Sequence, residues 1–371
     1  MANTLITLQT IARQALPQLI ENLVFPNLCY RDFSEDFHDL GDSVKVRKPS
    51  VFTAQEFNQD SGVDYQDFNE EGIDVTLDHI ATVDARASAV ESATGIDDLN
   101  RAFIQPAAAA LAEKINADGL MLYADIPYCC GTAGVTPGAL SDIAAARRVL
   151  NLNRVPVSGR VAVWDTEADA QFTQLPALVN AEKSGSCAAL REGAIGRVYG
   201  MDNYMSQAVC RHTSGITAAA DVKVNGKVAS GATQISIDAA TLNGHLVKGD
   251  ILKIGDKSYV VTRDSAAAAG NAIADIDIYP ALPETADNTA VEIVGSHRAN
   301  LAFHPMAFAY VTRPLINPDG QGVESYVTSY NGISLRVTRG YNQQFKRSTY
   351  SMDVLYGFRT VYPELAVRVL G

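Results

Sequence analysis

The sequence lacks the cysteine arrangement of a disulfide-stabilised protein. Its five cysteines are an odd number, Cys129 and Cys130 are adjacent, and no Cys-x-x-Cys pair occurs. We therefore predict a reducing compartment. No apolar run approaches the roughly 18 residues that a membrane-spanning helix needs. The first residues lack a basic segment followed by an apolar core, so we expect no signal peptide.

Basic residues are also scarce. Lys and Arg total 30 against 42 Asp and Glu, which gives a formal net charge of −12. This balance argues against a dedicated nucleic-acid-binding protein. It does not argue against a protein that encloses nucleic acid without binding it tightly. Positive charge is concentrated late, at Arg336, Arg339, Lys346, Arg347 and Arg359. These residues indicate either a nucleic-acid patch or, as we prefer, contacts with acidic residues of another copy.

The patterns of the common catalytic and metal sites are missing. No HExxH, GxSxG or Walker motif occurs, and Cys210-x-His212 is the only close pair of Cys and His in the sequence. Two ligands do not make a zinc site. We therefore predict no catalytic, cofactor-binding or metal-binding residues.

Helical patterns are strong in several places. The best is Pro106–Tyr123, where Pro106 suits a first helical turn and strong helix formers follow. Helices are also predicted at Leu140–Asn151 and Thr166–Leu178. Residues Asn3–Phe25 have helical spacing that Pro17 interrupts, which predicts a broken amphipathic arm. That arm packs either on the chain's own core or on a neighbouring subunit.

Two alternating stretches predict a long hairpin. They are Val44–Lys48 and a second strand from Ile73 to about Ala89. Between Pro49 and Ala85 there is no Lys or Arg, and acidic residues alternate with aromatic ones. The segment is either a solvated loop or an extended arm that anchors in a partner. On the second interpretation, the candidate contact residues between subunits, with the late arginines, are Phe57, Asp64, Tyr65, Asp67, Phe68, Glu70, Glu71, Arg336, Arg339 and Arg347.

Residues Asp221–Val294 predict a separate small β domain. Short β runs alternate there with turn signals, including Asn225-Gly226 and the Gly255-Asp256 turn between two apolar strands. Buried strands are predicted on either side of this segment, at Val155–Trp164 and Leu365–Leu370.

The order of these parts resembles one family. The strings that carry the resemblance are EGAIGRVYGM (Glu192–Met201), RANLAFHPMAF (Arg298–Phe308), GISLRV (Gly332–Val337) and the tail Asp353–Arg359. With them, the chain resembles the major capsid (coat) proteins of tailed double-stranded-DNA bacteriophages, and among these the podovirus-type coat proteins with an inserted β domain. The resemblance implies an α+β, Hong Kong 97-type fold with an N-terminal arm, an extended hairpin loop, a spine helix, peripheral and axial domains, and an inserted small β-barrel.

On this resemblance the chain is expected to divide into five parts. They are an N-terminal arm (1–40), an extended hairpin loop (41–93), a peripheral domain with the spine helix (94–135 and 340–371), an axial domain (136–220 and 295–339) and the inserted β-barrel (221–294). Some relatives cross-link their subunits through a Lys–Asn bond. Because the hairpin from Pro49 to Ala85 has no lysine, we expect no cross-link here.

The resemblance also implies a function. It implies hexamers and pentamers that close into an icosahedral shell, assembled in the host cytoplasm and found in the virion, with no enzymatic activity and no membrane. The implied partners are further copies of the chain, a scaffolding protein, a portal protein at one vertex, packaged double-stranded DNA and, where one exists, a decoration protein. Alternatives are an encapsulin-like compartment, an enzyme with an appended β domain, and an adhesin-like or carbohydrate-binding module.

Overall fold

The computed structural model describes residues 8–31, 43–48, 71–88, 103–180, 182, 188–317, 323–330, 332–342, 344 and 347–371. The chain divides into two compact units. Unit 1 comprises Met1–Leu19, Arg31–Leu111 and Phe308–Val361, and unit 2 comprises Ile20–Tyr30, Ala112–Ala307 and Tyr362–Gly371.

The α-helices are α1 (Leu8–Asn22), α2 (Phe25–Leu28), α3 (Gln105–Leu120), α4 (Leu140–Leu152), α5 (Thr166–Phe172), α6 (Pro176–Val179) and α7 (Ala188–Glu192). Short 3₁₀ helices span Met121–Asp125, Pro305–Ala307 and Pro363–Leu365. The strands are β1 (Ser43–Lys48), β2 (Glu71–Thr76), β3 (His79–Ser88), β4 (Cys129–Gly131), β5 (Arg160–Trp164), β6 (Gly196–Val198), β7 (Met201–Met205), β8 (Arg211–His212), β9 (Ile216–Ala220), β10 (Lys223–Val224), β11 (Ala232–Asp238), β12 (Thr241–Gly244), β13 (Ile251–Ile254), β14 (Lys257–Val261), β15 (Ala272–Leu282), β16 (Val291–Ile293), β17 (His297–Phe303), β18 (Phe308–Arg313), β19 (Val323–Tyr330), β20 (Ile333–Asn342), β21 (Arg347–Thr360) and β22 (Ala366–Leu370).

Unit 1 is built on a five-stranded sheet with order β18-β21-β20-β19, in which β3 also pairs with β21. Its longest strand, β21, runs antiparallel to β3 over ten residue pairs, from Arg347↔Ser88 to Tyr356↔His79. Alternate residues of β20 and β21, including Val337, Met352 and Val354, are fully buried. Asp353 and Leu355, which point to the other face, are buried as well, so both faces of the sheet are covered along this part of β21.

Unit 2 is built on a seven-stranded sheet with order β4-β22-β17-β5-β7-β6, to which β8 adds by pairing with β17. Strands β5 and β22 are buried at every position. Helix α4 packs Ile143 and Leu150 into a core with Trp164, whose ring lies 4.8 Å from that of Phe172. The predicted helix at Leu140–Asn151 and the predicted strand at Leu365–Leu370 are both confirmed.

The β segment that the sequence places at Asp221–Val294 has its own core. Its six-stranded sheet has the order β10-β11-β15-β14-β13-β16, and β12 pairs separately with β9. The two outer strands meet, because Lys223 bridges Ala290 and the amide of Val291 donates to the carbonyl of Val222. The sheet thus closes in part, as in a small barrel. The predicted hairpin around Gly255-Asp256 is confirmed by the Ile254↔Lys257 pairing.

Two β predictions in this segment need correction. Asn225-Gly226 does not close a two-residue hairpin, since Val224 pairs with Ile237 across a much longer connection. The amide of Gly226 instead donates to Asp287 Oδ1 (2.8 Å), a residue distant in sequence. The β structure also begins before Asp221, because β9 pairs along β12.

The helix predicted at Pro106–Tyr123 is confirmed as α3 followed by the 3₁₀ turn Met121–Asp125. The prediction of a broken arm is wrong, because α1 is one helix with Pro17 inside it. Proline removes the hydrogen bond to the carbonyl of Arg13, and because Arg13 is exposed, water can satisfy that carbonyl. Ile11, Leu16 and Leu19 are buried within this chain, as in the interpretation that the arm packs on its own core.

The long hairpin is only partly correct. Strands β1 and β2 pair from Ser43↔Thr76 to Lys48↔Glu71, as predicted. The second strand, however, ends at Thr76, and the following β3 belongs to the sheet of unit 1. Likewise, the helix predicted at Thr166–Leu178 is two short helices, since Pro176 starts α6.

The five-part division stays a prediction, and the two compact units follow other boundaries. Strand β22 lies in unit 2 beside β17, whereas the prediction grouped residues 340–371 together. Strands β18 and β20 lie in unit 1 with β21, whereas the prediction grouped 295–339 with the axial domain.

Candidate functional site

Most of the acidic and aromatic candidates cannot be placed. Phe57, Asp64, Tyr65, Asp67, Phe68 and Glu70 lie outside the described residues. Glu71 is the first residue of β2 and is paired in register with Lys48 of β1. The contacts predicted for this group stay predictions.

Arg336 is engaged within its own chain. Its Nε and Nη2 atoms donate to Asp353 Oδ2 at 3.0 and 2.7 Å, and Nη1 donates to the carbonyl of Ile316. Ser351 Oγ donates to the other carboxylate oxygen of Asp353. The Arg336 side chain is 22% exposed and that of Asp353 is 8% exposed. Such a half-buried, charge-assisted pair holds β20 to β21.

Arg339 lies on the opposite face of the same sheet. Directly opposed residues of an antiparallel pair share a face and successive residues alternate, so Arg336 shares a face with Asp353, and Arg339 shares the other face with Tyr350. The guanidinium of Arg339 lies 5.9 Å from the Tyr350 ring centroid. Arg336 and Arg339 therefore cannot belong to one patch.

Arg347 has a basic neighbour that the sequence patterns missed. It is exposed, opposes Ser88 of β3 and lies diagonally from Arg86, which opposes Thr349. Both arginines are exposed on the same face, the one that also carries Arg336. Arg86 could be found only once the pairing of β3 with β21 was known, because 261 residues separate it from Arg347 in the sequence.

A line of three titratable side chains runs through the interior of unit 2. Tyr123 Oη lies 3.1 Å from His212 Nδ1, and His212 Nε2 lies 2.8 Å from Asp250 Oδ1. The side chains of His212 and Asp250 are 3% and 0% exposed. This arrangement could relay a proton, but no reactant can reach it through the surrounding protein. It is a structural cluster, not an active site.

Arg368 completes that buried region. It is 0% exposed and donates to three backbone carbonyls, those of Gly249 (2.7 Å), Tyr123 (2.6 Å) and Ile126 (3.1 Å). Burial lowers the pKa of Arg368 to about 10, with Tyr123, Cys129 and Asp250 acting in the opposite direction. A buried arginine at this pKa stays charged at neutral pH.

Neither the thiol of Cys130 nor that of Cys210 is activated. Burial is the main reason that the pKa of Cys130 is raised to about 12, and burial also raises the pKa of Cys210. Nucleophilic cysteines need the opposite shift. Among the residues with described positions, no group of three or more His, Cys, Asp or Glu could hold a metal ion. Nor does any described helix have the length and apolar character needed to span a bilayer.

Comparison with known proteins gives a fold likeness but no sequence match. No protein-family model matches the chain, and no curated protein matches it. A solved structure from Mycobacterium phage Che8 is similar, with 18% sequence identity, a TM-score of 0.52 and coverage of 94% of this chain and 90% of that chain. The chain has a phage capsid fold. The α+β fold class predicted from the sequence is thereby confirmed, and the Hong Kong 97-type architecture is consistent with it.

Two further phage structures are weaker matches. One is from Mycobacterium phage Ogopogo, with 10% identity, a TM-score of 0.49 and coverage of 94% of this chain and 91% of that chain. The other is the capsid structure of the cyanophage P-SCSP1u, with 12% identity, a TM-score of 0.47 and coverage of 89% of this chain and 83% of that chain. Neither reaches a TM-score of 0.5, so the fold assignment uses the Che8 structure alone.

Proposed function

We propose that this chain is a major capsid protein, the repeating subunit of an icosahedral phage shell. The observation that carries the proposal is the fold likeness to the phage Che8 structure, which spans 94% of this chain.

The chemistry of the described residues supports a structural role over an enzymatic one. The Tyr123–His212–Asp250 line is enclosed, and burial raises the pKa of the Cys130 thiol. Active sites in enzymes lie in accessible pockets. Neither of these two groups is therefore open to a substrate.

The working form would be a closed assembly of many copies. Hexamers and pentamers would form a shell around packaged double-stranded DNA, built in the host cytoplasm with a scaffolding protein, a portal protein at one vertex and, in some particles, a decoration protein. A net charge of −12 suits such a wall, because a strongly basic lining would bind the DNA tightly.

The contacts between copies would be partly electrostatic. The segment from Pro49 to Ala85 carries acidic residues and no Lys or Arg, so it complements an exposed basic surface. We propose Arg347 with Arg86 as that surface. Arg336 is held by Asp353 within its own chain.

Electron microscopy of the expressed chain tests the proposed function. We expect closed shells of uniform size, alone or on co-expression with the phage's scaffolding protein. Purification from infected cells should give shells that contain DNA. Uniform shells that instead enclose a protein cargo would support an encapsulin-like compartment. A chain that stays monomeric under all these conditions would contradict a shell subunit.

A further inference from the structure

Five segments of unit 2 converge on one buried group of polar side chains. Tyr123 comes from the 3₁₀ turn after α3, His212 from β8, His297 from β17 and Arg368 from β22, and Asp250 precedes β13 in the inserted segment. We call these five residues the junction cluster. The exposed fraction of each is 5% or less. The cluster lies where the inserted segment meets the seven-stranded sheet.

Hydrogen bonds make this cluster the attachment of the inserted segment. Arg368 on the sheet donates to Gly249 of the insert and also to Tyr123 and Ile126 after α3. Asp250 accepts from the amide of Val247 through Oδ2 and pairs with His212 through Oδ1. Removal of Arg368, His212 or Asp250 leaves a buried polar group without its partner, which is costly.

The insert packs closely against its neighbours at Gly249. Gly249 has φ +95°, and a Cβ on it would lie 3.0 Å from Ala124 Cβ and 3.4 Å from His212 Cε1. The insert therefore touches the turn after α3 and the ring of His212 directly.

A proton on His297 would add a positive charge to the cluster. Arg368 contributes one positive charge and Asp250 one negative charge. The ring of His297 lies 5.2 Å from that of His212, and Arg368 acts on it electrostatically. The titratable and charged groups around the two rings are Tyr123, Cys210, Asp250 and Arg368, with the exposed Lys248–Asp125 pair at the margin.

His297 accepts a proton less readily than an ordinary histidine. Its Nδ1 bonds the carbonyl of Gly295 at 2.8 Å, and its Nε2 is buried with no hydrogen-bonding partner in the described chain. Burial lowers the pKa of His297 to about 4. Arg368 and His212 act in the same direction, and the Gly295 carbonyl and Asp250 oppose them.

We propose that the junction cluster is an acid-sensitive joint, at which protonation of His297 releases the insert loop Val247–Asp250 from β22 and from the turn Met121–Asp125. Because the lowered pKa belongs to the closed form, the joint is fully stable above the ordinary histidine pKa of about 6.5 and weakens as the pH falls towards about 4. At pH 5 these two values correspond to a loss of about 30-fold in the closed-to-open ratio.

Hydrogen exchange of the full-length chain at pH 7 and pH 5 tests this joint. Rates are corrected for the intrinsic pH dependence of exchange, and peptides covering residues 246–252 and 121–127 report on the joint. His297→Gln keeps a donor for the Gly295 carbonyl but cannot be protonated. His245→Gln, at an exposed position of the same segment, is the matched control.

We expect protection of the joint to fall at pH 5 in the wild-type chain and in His245→Gln, by on the order of 30-fold. In His297→Gln it should stay within about 3-fold of its value at pH 7. An equal fall in His297→Gln and wild type would overturn the proposal.

The wild-type chain alone also decides the matter if His297→Gln does not fold. The proposal would be contradicted if the two joint peptides of the wild-type chain were as well protected from exchange at pH 5 as at pH 7. A parallel loss in the core of the insert and in the fluorescence of the buried Trp164 would also contradict it, because these report general unfolding.

Discussion

At the scale of single residues, Arg368 is the side chain whose removal should matter most for stability. The variant Arg368→Met keeps much of the volume but removes the charge and three hydrogen bonds to buried carbonyls. It also leaves Asp250, which is 0% exposed, without its neighbouring positive charge. Leaving buried carbonyls without their donor costs about 1–3 kcal/mol each, so we expect a large loss of stability. Urea unfolding followed by the fluorescence of Trp164, the single tryptophan, measures the loss.

Arg197→Met is the control for this change. Arg197 is 61% exposed and lies 3.8 Å from Asp202, so its loss should change the free energy of unfolding by less than about 1 kcal/mol. Equal stabilities for the two variants would show that the buried hydrogen bonds of Arg368 contribute little.

At the scale of elements, Asn116 of α3 holds the chain where α1 ends and α2 begins. Its Oδ1 accepts from the amides of Val24 and Phe25 at 3.0 and 3.1 Å, and its Nδ2 donates to the carbonyl of Asn22. It therefore satisfies backbone groups that a helix end leaves unpaired. Asn116→Ala should lower the free energy of unfolding by about 1–3 kcal/mol, because the buried amide of Phe25 loses its acceptor.

Circular dichroism and urea unfolding of Asn116→Ala measure that effect. Lys114→Ala, two residues away on the exposed side of α3, removes only the surface pair with Asp118 and should cost under about 0.5 kcal/mol. If Asn116→Ala were no more destabilised than Lys114→Ala, water would be replacing the lost amide as a partner.

Local chemistry explains which elements could be predicted from the sequence. The helix at Leu140–Asn151 and the strand at Leu365–Leu370 follow from periodicity and burial, and the Gly255-Asp256 hairpin follows from turn chemistry. The prediction of a break at Pro17 was wrong because the rest of α1 packs well enough to tolerate a proline. The hairpin predicted at Asn225-Gly226 does not form, because strands distant in sequence pair in its place.

Contacts between distant residues could not be predicted in the same way. Sequence spacing grouped Arg336, Arg339 and Arg347 as one basic set, but strand pairing places Arg339 on the other face and gives Arg336 an internal partner. The junction cluster was missed for the same reason. His212 was noted only as a neighbour of Cys210, and nothing local connects it to Asp250 or Arg368.

At the scale of the whole molecule, the proposed shell depends on complementary charge between copies. Arg86→Glu with Arg347→Glu should reduce shell formation strongly and leave the monomer folded, because both side chains are exposed. Particle yield by electron microscopy and Trp164 fluorescence measure the two effects. Raised salt should weaken the wild-type assembly, since exposed charges are screened within about 10 Å at 0.1 M.

Arg359→Glu is a matched control for that double variant. Arg359 is exposed on the same strand, β21, and opposes Ala309 of β18 at the other end. It should assemble normally. Asp67→Lys and Glu70→Lys can be added to the double variant. Partial recovery of the particle yield would then identify the acidic segment as the partner. Normal shells from the double variant would rule out these arginines as contacts.

Deletion of residues 221–294, joined by a short linker, tests how the inserted segment depends on the rest of unit 2. The ends can be joined because Lys223 and Ala290 are bridged. The deletion removes Asp250 and the Gly249 carbonyl, so Arg368 loses its only neighbouring carboxylate in the junction cluster and keeps only the carbonyls of Tyr123 and Ile126. We therefore expect the deletion with Arg368→Met to be more stable than the deletion alone, although Arg368→Met destabilises the full chain. Urea unfolding by Trp164 fluorescence compares the four proteins. If Arg368→Met destabilised the deletion as much as it destabilises the full chain, the junction cluster would not be what couples the insert to the sheet.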